Sequence, residues 1–126
     1  MWAADITPDE TPHEAGLGFC VKDDTDFVGR DALADREPVK RLRCLVLDDP
    51  RSVALGNEPV RVGGEIVGRV TTGGYGYTVG CSIAYAYLPP DHDVGTAVEV
   101  DTFGQWIAGT VAAEPLLDPR GERVRV

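Results

Sequence analysis

From Leu42 onward, glycine and proline cut the sequence into short strand-like runs. Leu42 to Leu47 is rich in strand formers and ends in a turn cluster, Asp48-Asp49-Pro50. Val60 and Val62 flank Arg61, and Gly63-Gly64 then offers positive φ at both centres of a tight hairpin, with Ile66 to Thr71 as the return strand. Ile83, Tyr85 and Tyr87 alternate with Ala84 and Ala86, which places large side chains on one face of a strand and small ones on the other. Val98 and Val100 alternate with Glu99 and Asp101, Gly104-Gln105 turns the chain back towards Trp106, and Ile107 to Ala112 closes the pattern. About six strands in roughly 75 residues predict a mainly β fold, a small antiparallel barrel over about residues 40–113.

The first 37 residues are of another kind. They carry ten acids and three bases, net −7, against a net charge of −9 for all 126 residues. Thr7-Pro8-Asp9 and Thr11-Pro12-His13-Glu14 signal turns and helix starts, yet little apolar periodicity follows. Gly29 to Glu37 can form a short helix that Pro38 stops. The expected organisation is therefore a turn-rich segment, 1–37, followed by a barrel domain, 38–126.

A net charge of −9 disfavours nucleic acid and anionic membrane surfaces as partners. No apolar run approaches the roughly 18 residues of a membrane span, and the start lacks a basic-then-apolar leader, so a cytoplasmic location is expected. Three cysteines, Cys20, Cys44 and Cys81, with no C-x-x-C pair and two distant histidines, predict reduced thiols and no metal site.

The run Thr71 to Gly80, TTGGYGYTVG, tempts a phosphate-loop reading. A Walker loop needs Gly-Lys-Ser or Gly-Lys-Thr entering a helix, and no lysine lies in the run. The dinucleotide fingerprint needs a strand-turn-helix setting, whereas Ser82-Ile83-Ala84-Tyr85 continues as strand. The glycines read better as places of close backbone approach, with the tyrosines packing across them.

The stretch VGRVTTGGYGYTVGCSIAYAYLP, Val67 to Pro89, resembles the C-terminal barrel domain of the glycine-cleavage T-protein superfamily. Four further stretches agree in family order: DITPDETPHEAGLGFCVK (Asp5 to Lys22), DFVGRDAL (Asp26 to Leu33), LGNEPV (Leu55 to Val60) and EPLLDPRGERVRV (Glu114 to Val126). Gly76-Tyr77-Thr78-Val79 and the Tyr87-Leu88-Pro89 ending resemble the folate-dependent part of dimethylglycine oxidase and of dimethylglycine and sarcosine dehydrogenases more than the aminomethyltransferases, whose usual Thr-Ser-Gly then Ser-Pro pattern is absent where this chain has Thr72 to Tyr77. Cys81 stands where many relatives carry a lysine or arginine.

That resemblance implies a piece of a larger demethylating flavoenzyme: the exit segment of a folate domain (1–37) and the barrel (38–126). The implied cofactors are tetrahydrofolate and, in a missing N-terminal domain, FAD. The implied partners are the missing upstream folate and flavin domains of the same chain. In such enzymes an N-methyl group becomes an iminium, and tetrahydrofolate captures the one-carbon unit. The resemblance places the orienting aspartate upstream, so no catalytic residue is expected here, and the piece is not expected to be active alone. A T-protein-like aminomethyltransferase and a non-catalytic interaction module are the alternatives. Three residues are candidates to face folate: Trp2 by stacking on a ring, Glu14 beside a turn that lines the central opening in related folds, and Arg120 towards the glutamyl tail. Their bland alternatives are hydrophobic packing, a helix-start carboxylate and a solvated tail. The acid pairs Asp9-Glu10 and Asp23-Asp24 read as solvent-facing.

Overall fold

Each run punctuated by glycine or proline becomes one strand of a closed barrel in the computed structural model, which describes residues 1–22 and 24–125. The strands are β1 (Arg41–Leu47), β2 (Pro59–Val62), β3 (Glu65–Gly76), β4 (Cys81–Leu88), β5 (Ala97–Thr102) and β6 (Gln105–Ala112). They close in the order β1-β4-β3-β2-β5-β6, every pair antiparallel. Closure leaves no sheet edge for another chain to extend. The core inside is aliphatic, built on Leu45, Leu47, Val60, Val70, Leu88 and Val100, all at most 2% exposed.

Barrel size decides which face of β4 looks inward. Burial alternates strictly along the strand, and the buried face carries the small residues Ser82, Ala84 and Ala86 and ends in Leu88. Six strands enclose a narrow interior, narrower than the eight-stranded barrels that side chains just fill. Tyr85 and Tyr87 therefore stand on the outer wall. Cys44, on the same outer face of β1 and opposite Tyr85 in register, is also buried. Burial first, and then the Glu114 carboxylate, push its thiol up to about 11, so it stays protonated and unreactive at neutral pH. All three cysteines are free thiols.

Three boundaries differ from the sequence expectation. The Gly63-Gly64 hairpin forms as expected, but the second tight turn centres on Phe103-Gly104, with φ of 53° and 83°, and Gln105 is already paired with Thr102. A type I′ two-residue hairpin needs positive φ at both centres, and here the exposed Phe103 accepts the first of them. The expected strand Ile66 to Thr71 continues through the glycine run to Gly76, because β4 pairs with it as far as Gly76↔Cys81. The helix is shorter than Gly29 to Glu37. It covers Arg30–Ala34 (α1), buries no residue and starts from Gly29 in the left-handed region, φ 89°.

Candidate functional site

Two tandem Thr-Pro-x-Glu sequences, Thr7 to Glu10 and Thr11 to Glu14, shape a strap that crosses the barrel wall. In each, the glutamate folds back on its threonine as in a capping box. Glu10 Oε2 accepts from Thr7 N (2.8 Å) and Thr7 Oγ1 (2.6 Å), and Glu14 Oε2 accepts from Thr11 N (2.9 Å) and Thr11 Oγ1 (3.1 Å). No long helix follows; instead the second oxygen of each glutamate ties the strap to the barrel. Lys40 Nζ donates to Glu10 Oε1 at 2.7 Å, and Val39 N donates to Glu14 Oε1 at 3.2 Å. Leu42 N, in β1, donates to the Glu14 carbonyl at 2.8 Å.

Asp5 fastens the other end. Its Oδ1 accepts from Thr71 Oγ1 (2.5 Å) and Thr72 Oγ1 (2.7 Å), its Oδ2 from the amino terminus, and Tyr87 Oη donates to its backbone carbonyl (2.7 Å). Strap and wall enclose an open cleft of about 450 Å³, bounded by Thr7 and Glu10 on one side and by Ile66, Arg69 and Tyr87 on the other. The ammonium of Lys40 lies 4.7 Å from the Tyr87 ring centroid, a cation–π distance.

The electrostatics follow from these contacts. Burial raises the Asp5 and Glu14 carboxyls, but their hydrogen bonds outweigh it: from the amino terminus, Thr71 and Thr72 for Asp5, and from Thr11 and Val39 for Glu14. Both end below the usual carboxylate range. Lys40, and then the Thr7 hydroxyl, hold Glu10 down to about 2. Burial, followed by the Glu10, Asp5 and Glu14 charges, pushes the Tyr87 phenol up to about 12. Phenol and carboxylates thus keep their neutral-pH forms, and the cleft is a fixed polar frame.

These shifts predict acid weakening of the strap. A carboxyl whose folded pKa is depressed contributes stability that is complete above its unfolded value and is lost as pH falls through the folded one. For Glu10 that window runs from 4.5 down to about 2. Urea midpoints should fall between pH 5 and pH 2.5, and Lys40→Met should flatten the fall by roughly 1–2 kcal/mol after solvent screening. A Lys40→Met profile parallel to that of the parent would show that Glu10 does not anchor the strap.

The structure disperses the residues singled out from sequence. Trp2 is 69% exposed and is bridged to Ile6 of the strap. Glu14 is fully buried in the strap's tie to β1. Arg120 has its side chain 84% exposed, 3.8 Å from Glu122. None of the three lines the cleft. The pair Asp9-Glu10 divides, Glu10 anchoring the strap while Asp9 faces solvent; Asp24 is exposed, and Asp23 lies outside the described residues. Sequence reading passed over Asp5, Glu10, Lys40 and Tyr87 as a group. The repeat TPDETPHE was the available signal for the glutamates; nothing local announces their partners Val39 and Lys40, just ahead of β1, or those of Asp5 in β3 and β4.

Residues 40–118 match the glycine cleavage T-protein C-terminal barrel domain. Similarity to curated proteins extends over the strap as well. The chain is 38% identical to a 4-methylaminobutanoate oxidase (formaldehyde-forming) of Paenarthrobacter nicotinovorans, over 96% of this chain and 15% of that protein. It is 42% identical to an aminomethyltransferase of Symbiobacterium thermophilum, over 91% of this chain and 32% of that one. It is 34% identical to the mitochondrial dimethylglycine dehydrogenase of Rattus norvegicus, over 99% of this chain and 15% of that one. The crystal structure of the glycine cleavage system aminomethyltransferase T from Bartonella henselae superimposes with a TM-score of 0.85 at 27% identity, over 95% of this chain and 36% of the other. The chain thus spans between 15% and 32% of the length of these curated relatives.

Proposed function

The chain belongs to the glycine cleavage T-protein C-terminal barrel domain family, and from that premise we propose that it is the tetrahydrofolate-associated barrel of a demethylating flavoenzyme. In this reading the barrel forms one wall of a folate site whose remaining walls, with the FAD domain, belong to a longer polypeptide. The observation that carries it is that the oxidase and dehydrogenase matches run through the strap, ahead of the barrel, and take in 96–99% of this chain. The oxidase is described as formaldehyde-forming, the product expected when an N-methyl group is oxidised and released. The 42% match favours a second reading, the corresponding part of an aminomethyltransferase.

Residues 1–37 belong, in this proposal, with the upstream folate domain. An apolar groove of about 420 Å³ lined by Pro12, Leu17, Val21, Phe27 and Leu33, within the same segment as the exposed Phe19, supports that placement. Trp2 is free to stack on a ring, Arg120 to meet a carboxylate, and the buried Glu14 acts by positioning the strap. A folate is gripped by a pocket that covers most of its surface, and one wall cannot do that. Calorimetric titration of the 126-residue chain with 5-formyltetrahydrofolate should show no saturable heat up to about 1 mM, whereas the chain joined to its upstream region should saturate. Micromolar binding by the short chain would refute the one-wall reading. A longer polypeptide that binds folate but no flavin would select the aminomethyltransferase.

A further inference from the structure

Donors and acceptors are unequally used in the strap cleft, and that inequality defines what the cleft can hold. Both carboxylates that reach it are engaged within the protein: Asp5 Oδ1 by Thr71 and Thr72, and Glu10 at both oxygens by Thr7 and Lys40. The cations are not. Lys40 gives one of its three N–H donors to Glu10, and its side chain is 35% exposed. Arg69 is exposed and directs one of its five donors, from Nη1, to the neutral oxygen of Asn57 at 3.1 Å; no carboxylate of the described residues lies within ion-pairing distance of it. Its guanidinium therefore stands beside the cleft with donors to spare. Ile66, 67% exposed, supplies an apolar wall next to it.

We propose that this cleft is a binding site for a small organic carboxylate, held by the free donors of Arg69 and Lys40, with its apolar body against Ile66 and the edge of Tyr87. An arginine fork matches a carboxylate in two parallel bonds, so Arg69 is the principal determinant and Lys40 adds charge. The site lies on residues of this chain alone and does not depend on the folate reading. Its frame is preorganised by the Asp5 and Glu10 contacts, so binding requires no rearrangement of the strap.

Benzoate serves as the test ligand, with benzyl alcohol as its uncharged counterpart, followed by amide NMR shifts of the 126-residue chain. The expected result is saturable movement at Lys40, Gly68, Arg69 and Tyr87, with half-saturation on the order of 10 mM for a ligand of this size. Benzyl alcohol should not saturate, and Arg69→Gln, an exposed change that leaves the strap contacts intact, should weaken benzoate at least fivefold. Equal binding of benzyl alcohol, unaltered benzoate binding by Arg69→Gln, or absence of saturation by about 50 mM would each overturn the proposal.

Discussion

Gly73→Ala should lower the melting temperature by about 10 °C or more, while Gly74→Ala, one residue along, should leave it within a few degrees. The two glycines are neighbours in β3 and share its composition and strand context, so propensity cannot separate them. Space can. A Cβ on Gly73 would lie 2.3 Å from the Ala54 carbonyl oxygen and 2.9 Å from its carbon, whereas a Cβ on Gly74 meets nothing within 4 Å. The obstruction is backbone, not the end of a flexible side chain, and Ala54 is itself fully buried against the barrel core. Relief at Gly73 therefore requires moving the loop that packs there. The cost should reach the top of the overpacking range, about 3 kcal/mol. At Gly74, alanine replaces a flexible residue in a strand without a clash and should change stability by under about 1 kcal/mol, in the favourable direction. Thermal and urea unfolding of both variants give the comparison. Equal effects at the two positions would mean that the glycine run serves flexibility and not close approach.

The outcome at these positions marks what sequence can and cannot deliver. Strand number, the Gly63-Gly64 hairpin and the alternation along β4 depend on local chemistry, and each was legible. Which β4 face is the core was not, because it depends on the barrel's radius: alternation alone leaves both faces open, and the narrow interior takes the alanine face. The run from Thr71 to Gly76 reads as a loop when glycine count is the guide; it is strand because β4 supplies partners as far as Cys81. The strap shows the same division on a larger scale. Thr-Pro-x-Glu is a local signal, and the inner halves of both motifs formed as capping geometry implies. Their outer halves meet Lys40 and Val39 from 25 to 30 positions along the chain, and Asp5 meets Thr71 from 66 positions away. Separations of that kind leave no periodic trace in one sequence.

Glu14→Leu should destabilise the chain by about 3 kcal/mol and detach the strap, although leucine is an apolar residue entering a site with no solvent exposure. Burial of carbon would ordinarily favour the change. Here the carboxylate serves as the acceptor for Thr11 N, Thr11 Oγ1 and Val39 N, and leucine offers none of them an acceptor. A buried donor left without a partner costs about 1–3 kcal/mol, and two backbone donors stand in that position. The penalty exceeds the roughly 2 kcal/mol that full burial of a leucine side chain supplies. Glu14→Gln separates hydrogen bonding from charge. Its single oxygen can serve the Thr11 donors or the Val39 donor but not both sets, so about half of the loss should be recovered. Arg120→Ala, with an 84% exposed side chain, is the matched control and should change stability by less than about 0.5 kcal/mol. Urea midpoints rank the variants, and amide exchange locates the damage. In Glu14→Leu, Leu42 N loses protection together with Thr11 N, because its acceptor is the Glu14 carbonyl and the strap moves as a unit. Retained protection at Leu42 with a lowered midpoint would confine the damage to the carboxylate and leave the strap in place.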